Sequence, residues 1–272
     1  LWGVRHGLAG DVRPGGAWEN QAMRQALLSD IHGNLEALQA VLADLSKQNI
    51  DEILCLGDVV GYGPNPIECL ELVMKKVKLT ILGNHDQASV IDPSGFNPIA
   101  FQAIQWTRKE LNKGPSRAVN NRWDYINELP KSYQSDKFLF VHGSPCDPTN
   151  EYVFHEAVYD RHKMDRLFAK VPQYCFQGHT HIPAVFTPDC EFITPEDCDH
   201  TFSLGREKLM INVGSVGQPR DEDPRACYTI LDYDAKKIFF RRVEYDLETT
   251  IAKIYAISEL DNNLGDRLRS GR

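Results

Sequence analysis

The sequence predicts an α/β protein of one domain with two sheets. Three observations carry this. Short apolar runs alternate with helix-period segments through the first half, the rhythm of βαβ units and a mainly parallel sheet. The second half turns to short alternating strands around 184–187, 208–213, 226–233 and 237–244. No linker rich in Pro, Gly or Ser, and no internal repeat, separates the halves after Met23.

Taken in order, Gln25 to Ser29 reads as a buried strand ending at Asp30, and Leu35, Leu38, Val41, Leu42 and Leu45 recur at helical spacing. Ile53–Leu56 is a second strand, running into Gly57 and Asp58. Pro64–Lys76 reads as a helix opened near a proline, and Leu79–Leu82 as a third strand. Residues 97–128 look helical, with Phe101, Ile104 and Leu111 on one apolar face. Phe138–Val141 and Tyr174–Phe176 are further strands, and helical patterning returns from Leu247 to Ile257.

The 272 residues suffice for a substantial core, and 42% apolar with 25% charged residues is ordinary for a soluble globular protein. A formal charge of −8 weighs against a surface that coats nucleic acid, but not against a small anionic substrate beside bound cations. Seven cysteines without a C-x-x-C pair read as reduced packing residues, and no apolar run reaches membrane-span length. Together these point to a cytoplasmic protein. Residues 1–22, rich in Gly and charge, lack the apolar stretch of a signal peptide. They read as a leader or a misplaced start before a single domain over 23–272, with a docked arm as the alternative.

Polar residues gather where the apolar runs end: SDIHGN (29–34), LGDVVGYG (56–63), LGNHDQ (82–87), VHGSP (141–145) and QGHTH (177–181). Five of the nine histidines fall in these windows, beside glycines that let a backbone turn sharply. Each window alone has a plain structural alternative. Asp30 could cap a helix, Gly57-Asp58 could be a turn, and His142 could be a hydrogen-bonded core histidine. In His179-Thr180-His181, strand alternation would aim both imidazoles at one place. Carboxylate, imidazole and amide oxygen together suit Mn, Fe, Zn or Co. Seven such donors, one of them bridging, could hold two ions roughly 3.5–4 Å apart, which clamp a displacement at phosphorus.

D-x-H, G-D, G-N-H-D, H and G-H-x-H in this order resemble the calcineurin-like metallophosphoesterase superfamily, over essentially all of residues 24–245. The resemblance implies a four-layer α/β/β/α sandwich of two mixed sheets flanked by helices, with a dinuclear centre of divalent or trivalent ions, Mn or Fe favoured. It implies one metal on Asp30, His32, Asp58 and His181, and the other on Asp58, Asn84, His142 and His179. A hydroxide bridging the metals would be the nucleophile. His85 would bind phosphate, together with Asn84, and would protonate the leaving oxygen as general acid.

Two departures narrow the branch. Protein serine/threonine phosphatases carry G-D-x-V-D-R-G, and here Gly61 and Tyr62 replace its second Asp and its Arg. Another bacterial branch has Cys where this chain keeps His85. GYGPNP, HGSP and NVGSVGQPRDEDPRACY look like the bacterial branch grouped with diadenosine-tetraphosphatase-related phosphoesterases. Arg220 or Arg225 could supply the phosphate fork, or pair with the adjacent Asp221, Glu222 and Asp223. Tyr62 and Tyr152 could stack a base or simply pack. Cys190, Cys198 and His200 read as a hairpin insertion more than as a zinc loop. Asp86 could orient His85 or cap the next segment. The expected function is hydrolysis of a small phosphorylated molecule or nucleotide, with a phosphodiesterase or dinucleoside polyphosphate hydrolase as the alternative and a non-catalytic scaffold as the remaining one. A homo-oligomer stays open.

Overall fold

The computed structural model describes residues 23–272; the reading of residues 1–22 lies outside them. In chain order the elements are β1 (Arg24–Leu28), α1 (Leu35–Leu45), β2 (Glu52–Cys55), α2 (Pro66–Lys76), β3 (Leu79–Thr80), α3 (Asn84–Val90), α4 (Pro98–Leu111) and α5 (Ser116–Asn127). There follow β4 (Ser132–Ser135), β5 (Phe138–Val141), α6 (Arg161–Lys170), β6 (Tyr174–Gln177), β7 (Ala184–Phe186), β8 (Phe192–Ile193), β9 (Thr201–Ser203) and β10 (Leu209–Asn212). The last are β11 (Ala226–Asp232), β12 (Lys237–Val243), α7 (Leu247–Tyr255) and α8 (Asn263–Ser270).

The strands form two six-stranded sheets, ordered β3-β2-β1-β11-β12-β9 and β4-β5-β6-β10-β7-β8. Both are mixed. β1, β2 and β3 run parallel, as the βαβ rhythm requires, but β11 and β12 then join antiparallel from nearly 200 residues further along the chain. In the second sheet β5, β6 and β10 are parallel, with antiparallel strands at both edges. The expected mainly parallel sheet is therefore half antiparallel, because strands distant in sequence complete it.

Strand alternation sorts the apolar side chains into layers. Leu27 points between the sheets, where it meets Leu54, Phe140, Phe176, Ile211 and Leu231, all buried. Its neighbours Ala26 and Leu28 face outward, under Leu38 and Val41 of α1 and Leu70 and Val73 of α2. On the outer face of the second sheet, Cys175, Phe186 and Met210 pack under Met164, Leu167 and Phe168 of α6. The result is helix, sheet, sheet, helix. A fourth apolar cluster joins Ala100 and Ala103 of α4 to Ile251 and Ile254 of α7 and Leu264 and Leu268 of α8, with Tyr62 among them.

Helix ends follow local chemistry. Asn34, Asn97, Asp160 and Asp246 each accept an amide hydrogen bond at an N-terminus, a role the sequence had offered to Asp30. The helix expected over 97–128 is two helices, broken where Gly114 (φ +103°) and Pro115 stop α4 and open α5. Ile104 and Leu111 are buried as expected, but Phe101 is 41% exposed, and Ala100, Ala103, Trp106 and Thr107 complete the buried face of α4. β3 stops at Thr80, two residues earlier than expected, because the chain turns toward Gly83. β4 and α6 escaped the sequence reading because SYQS and RHKMDRLFAK are mostly polar: β4 buries no residue fully, and α6 buries only Met164, Leu167 and Phe168. All seven cysteines are free, and no described helix is long and apolar enough to cross a membrane.

Phe176 is fully buried between the sheets. Phe176→Ala is expected to destabilise the fold by about 3–5 kcal/mol, read from the shift of a urea unfolding midpoint. A loss well under 1 kcal/mol would mean that the two sheets do not pack through this residue.

Candidate metal centre

The carboxyl ends of β1, β2 and β3 in one sheet and β5 and β6 in the other lie side by side, the edge where α/β sheets carry their sites. Beyond β1 and β2 the chains stay paired: Asp30 N–H donates to Gly57 O (3.0 Å), His32 N–H to Asp58 O (2.9 Å) and Gly33 N–H to Val59 O (3.0 Å). They do so in left-handed backbone, with φ of +53° at Asp30, +48° at His32 and +53° at Asp58. His179 (+68°) and His181 (+63°) share that conformation beyond β6. Such non-glycine residues are strained by roughly 1–3 kcal/mol each and mark functional turns.

The H-x-H pair is therefore not on a strand, and its two rings part. His179 Nδ1 lies 3.0 Å from His142 Nε2, whereas His181 Nε2 lies 3.2 Å from His32 Nε2 and 3.2 Å from Asp30 Oδ1. Asp58 stands between the two groups, its Oδ2 3.6 Å from His32 Nε2 and 3.4 Å from His142 Nε2. Asn84 Oδ1 is 3.0 Å from His142 Nε2. All seven candidate ligands are thus brought together, and all are buried. Asp30 with His32 and His181, and Asp58 with His142 and His179, each converge closely enough to hold an ion; His32, Asp58 and His85 form a third such group.

The imidazole tautomers test whether cations fit here. Each of the four rings turns one nitrogen to a backbone carbonyl: His32 Nδ1 to Val60 O (3.2 Å), His142 Nδ1 to Leu56 O (2.8 Å), His181 Nδ1 to Gln218 O (2.6 Å) and His179 Nε2 to Asn150 O (3.1 Å). A carbonyl only accepts, so those nitrogens carry the hydrogen and the inner ones present lone pairs. Two lone pairs facing at 3.0–3.2 Å repel unless a positive charge lies with them. Asp30 Oδ1, buried among them, has no hydrogen-bond donor. This donor set fits cations of the intermediate transition-metal type.

The electrostatics agree. Burial pulls the His142 imidazole down, but the Asp58 and Asp30 charges outweigh it and hold it up at about 9, so the spot favours positive charge. Burial would raise the Asp30 and Asp58 carboxyls, yet their histidine neighbours, His181 for Asp30 and His142 for Asp58, hold both below the usual carboxylate range. His32 is lowered, and His179 pushed down to about 3, chiefly by burial.

His85 is different. Its backbone N–H donates to Asp58 Oδ1 (2.8 Å), but its ring has no carbonyl partner and Nδ1 is buried without one. The ring is packed edge-on against Phe96 and lies 4.3 Å from the Tyr62 ring. Gly61 explains the orphaned nitrogen: a Cβ there would sit 2.6 Å from His85 Nδ1, so no side chain can reach it from that position. Burial lowers the His85 imidazole to about 4, against the pull of Asp58.

Asp86 caps and clamps. Its Oδ1 accepts from Val59 N (3.0 Å) and Val60 N (3.2 Å), and its Oδ2 from Gly83 N (3.2 Å), so one buried carboxyl fastens the GNHD turn to the loop that carries Asp58. Burial and the Asp58 charge push that carboxyl up to about 7.

Of the candidate substrate-binding residues, Tyr62 is buried against His85 and His32, and Arg220 N–H donates to His181 O (3.3 Å), which brings Arg220 to the rim. Arg225 turns away into a bidentate bond with Asp223. Tyr152 stacks directly on His179, ring centroids 3.6 Å apart. Cys190 Sγ accepts from Arg161 of α6 and Cys198 Sγ donates to Thr194 O, and neither joins a metal-ready group among the described residues. Sequence reading missed the Asn150 and Gln218 carbonyls, because main-chain acceptors leave no residue signature. It also missed Arg267, which lies on a short polar helix.

Comparison with known proteins gives a consistent picture. Residues 23–236 match the family model described as the calcineurin-like phosphoesterase superfamily domain. An uncharacterized protein of Methanocaldococcus jannaschii is 38% identical over 254 residues, covering 91% of this chain and 98% of its own. The crystal structure of a metallophosphoesterase from Sphaerobacter thermophilus is 35% identical with a TM-score of 0.75, covering 93% of this chain and all of that one. A symmetrical bis(5'-nucleosyl)-tetraphosphatase of Psychromonas ingrahamii is 38% identical over 68 residues, 24% of each chain. The archaeal relative means that the similarity is not confined to the bacterial branch.

Gly83 has φ −83°, which alanine adopts freely, but an added Cβ would collide with the backbone nitrogen and Oδ1 of Asp58. Gly83→Ala is expected to lower stability by about 1–3 kcal/mol and to reduce retained divalent metal, measured by elemental analysis after metal loading and dialysis. Full metal content at wild-type stability would show that this close approach does not set the Asp58 position.

Proposed function

The chain belongs to the calcineurin-like phosphoesterase superfamily, metal-dependent enzymes that hydrolyse phosphoric ester bonds, and from that premise we propose that it hydrolyses a small phosphorylated molecule with two metal ions. Asp30, His32 and His181 would hold one ion; Asn84, His142 and His179 the other; Asp58 would touch both. The observation that carries this reading is the inward lone pairs of four carbonyl-anchored imidazoles beside two carboxylates.

When bound, such ions would polarise phosphoryl oxygens and bring the pKa of bound water from about 15.7 toward neutrality, supplying a nucleophile. The chain's own residues do the rest. The outward hydrogen bonds fix ring tilt and tautomer, so donors need no reorganisation as substrate arrives. His85, tied through its backbone to Asp58 but outside both ligand sets, is the general acid for the leaving oxygen. An anionic substrate beside its ring favours the charged form that burial alone disfavours. Manganese or iron suits the mixed nitrogen and oxygen donors. A second reading, hydrolysis of a diester or dinucleoside polyphosphate, is favoured by the 68-residue likeness to the tetraphosphatase.

Protein stripped by a chelator is expected to be inactive on p-nitrophenyl phosphate and bis-p-nitrophenyl phosphate, and to recover with Mn²⁺. Asp58→Asn should lower metal content and activity together. Full activity of the stripped protein or of Asp58→Asn would sink the two-metal reading. His85→Ala should keep its metal while turnover falls by roughly 10²–10⁴; unchanged turnover would remove His85 from the chemistry.

A further inference from the structure

The loop Arg220–Arg225 is crowded with charge, and its acids are all engaged. Asp221 pairs with Arg242, Glu222 with Arg272 and Asp223 with Arg225. Arg220 is left without a carboxylate within ion-pair distance among the described residues, and its Nε is buried with no acceptor. A second guanidinium joins it. Arg267 of α8 lies over the Tyr62 ring, its guanidinium carbon 5.2 Å from the centroid, with that of Arg220 at 6.0 Å. Both donate to one neutral oxygen, Gln218 Oε1, at 2.8 Å from Arg220 and 3.2 Å from Arg267. Among the described residues Arg267 has no carboxylate within that range either, and burial and the adjacent Arg220 charge both lower its pKa.

This pairing is built into the fold. Leu264 and Leu268, one turn apart on α8, are buried against α7 and α4, which fixes the helix that carries Arg267. The end of α8 is bonded back to the arginine loop through Glu222 N–H and Gly271 O (2.9 Å). Two like charges held together half-buried, with one amide oxygen between them, are unfavourable unless an anion completes the set. Guanidinium forks match phosphate oxygens bidentately. Tyr62, the ring both arginines contact, lies 4.3 Å from His85, so the pair stands one aromatic ring beyond the proposed general acid.

We propose that Arg220 and Arg267 form a two-guanidinium clamp for a second phosphate of the substrate, making the substrate class a pyrophosphate-linked compound such as a nucleoside polyphosphate. A single reacting phosphate already meets the metal ions and His85, so two further uncompensated cations call for additional negative charge on the same molecule. The substrate assignment rests on the phosphoesterase reading above; the clamp itself is a binding site and can be tested without turnover.

Calorimetric titration of the metal-free full chain with inorganic tripolyphosphate and with inorganic phosphate tests the clamp. Arg220→Ala and Arg267→Ala should each weaken tripolyphosphate binding about tenfold or more, as for a lost charge-assisted hydrogen bond, and should weaken phosphate binding as well, since without metal the clamp is the site for both anions. Arg267→Lys, which keeps the charge but not the fork and preserves the helix, should fall in between; thermal melting checks each fold. Unchanged tripolyphosphate binding in both alanine variants would overturn the clamp. In the Mn²⁺-loaded enzyme, Arg267→Ala should lower kcat/KM for a dinucleoside tetraphosphate about tenfold more than for bis-p-nitrophenyl phosphate. An unchanged ratio with both substrates turned over would overturn the clamp and leave the phosphoesterase reading intact. No turnover of either, with the calorimetric loss present, would support the clamp and defeat that reading.

Discussion

Four buried imidazoles, each tied by one nitrogen to a main-chain carbonyl, set the terms for everything around them. The outer hydrogen bond fixes the tautomer, the tautomer turns a lone pair inward, and the inward lone pairs together with Asp30 and Asp58 demand positive charge. The same demand acts on His142, whose imidazole the Asp58 and Asp30 charges hold up at about 9 against burial. The same arrangement also dictates where the backbone must go, because the four carbonyls come from three different loops at the sheet edge, those after β2, β5 and β10.

That demand explains the unusual backbone. Five of the seven candidate ligands have positive φ, a strain that persists only where the surroundings over-determine it. The surroundings here are the parallel pairing of the 30–33 and 57–59 loops, the Asp86 clamp across Val59, Val60 and Gly83, and the hydrogen bond from His179 N–H to Asp30 Oδ2 (3.0 Å) that spans the two sheets. The apolar layer between the sheets holds these loops in register, so the packing of Leu27, Phe140 and Phe176 and the geometry of the site belong to one structure.

Gly61 and Tyr62, side by side in the sequence, shape one side of the site. Gly61 leaves His85 Nδ1 without a partner, and Tyr62 fills the space with a ring that packs on His85 and His32. Guanidinium groups reach the same region from elsewhere in the chain, one from the loop after β10 and one from the last helix. Two neighbouring positions in sequence are thus met by residues that only the fold brings near.

The sequence by itself determined the alternation of strands and helices, the order of the five polar windows and the residue types at the seven candidate ligand positions, because hydrophobic periodicity and side-chain type are local properties. Only the tertiary structure decided that β11 and β12 complete the first sheet, that His179 and His181 serve different partners, and that His179 turns Nδ1 inward while the others turn Nε2. It also decided that Asp86 clamps two loops, that Arg225 is bonded to Asp223, and that Arg267 stands beside Arg220. These outcomes depend on left-handed backbone and on contacts between segments up to about 200 residues apart, and neither periodicity nor residue spacing encodes where such segments meet.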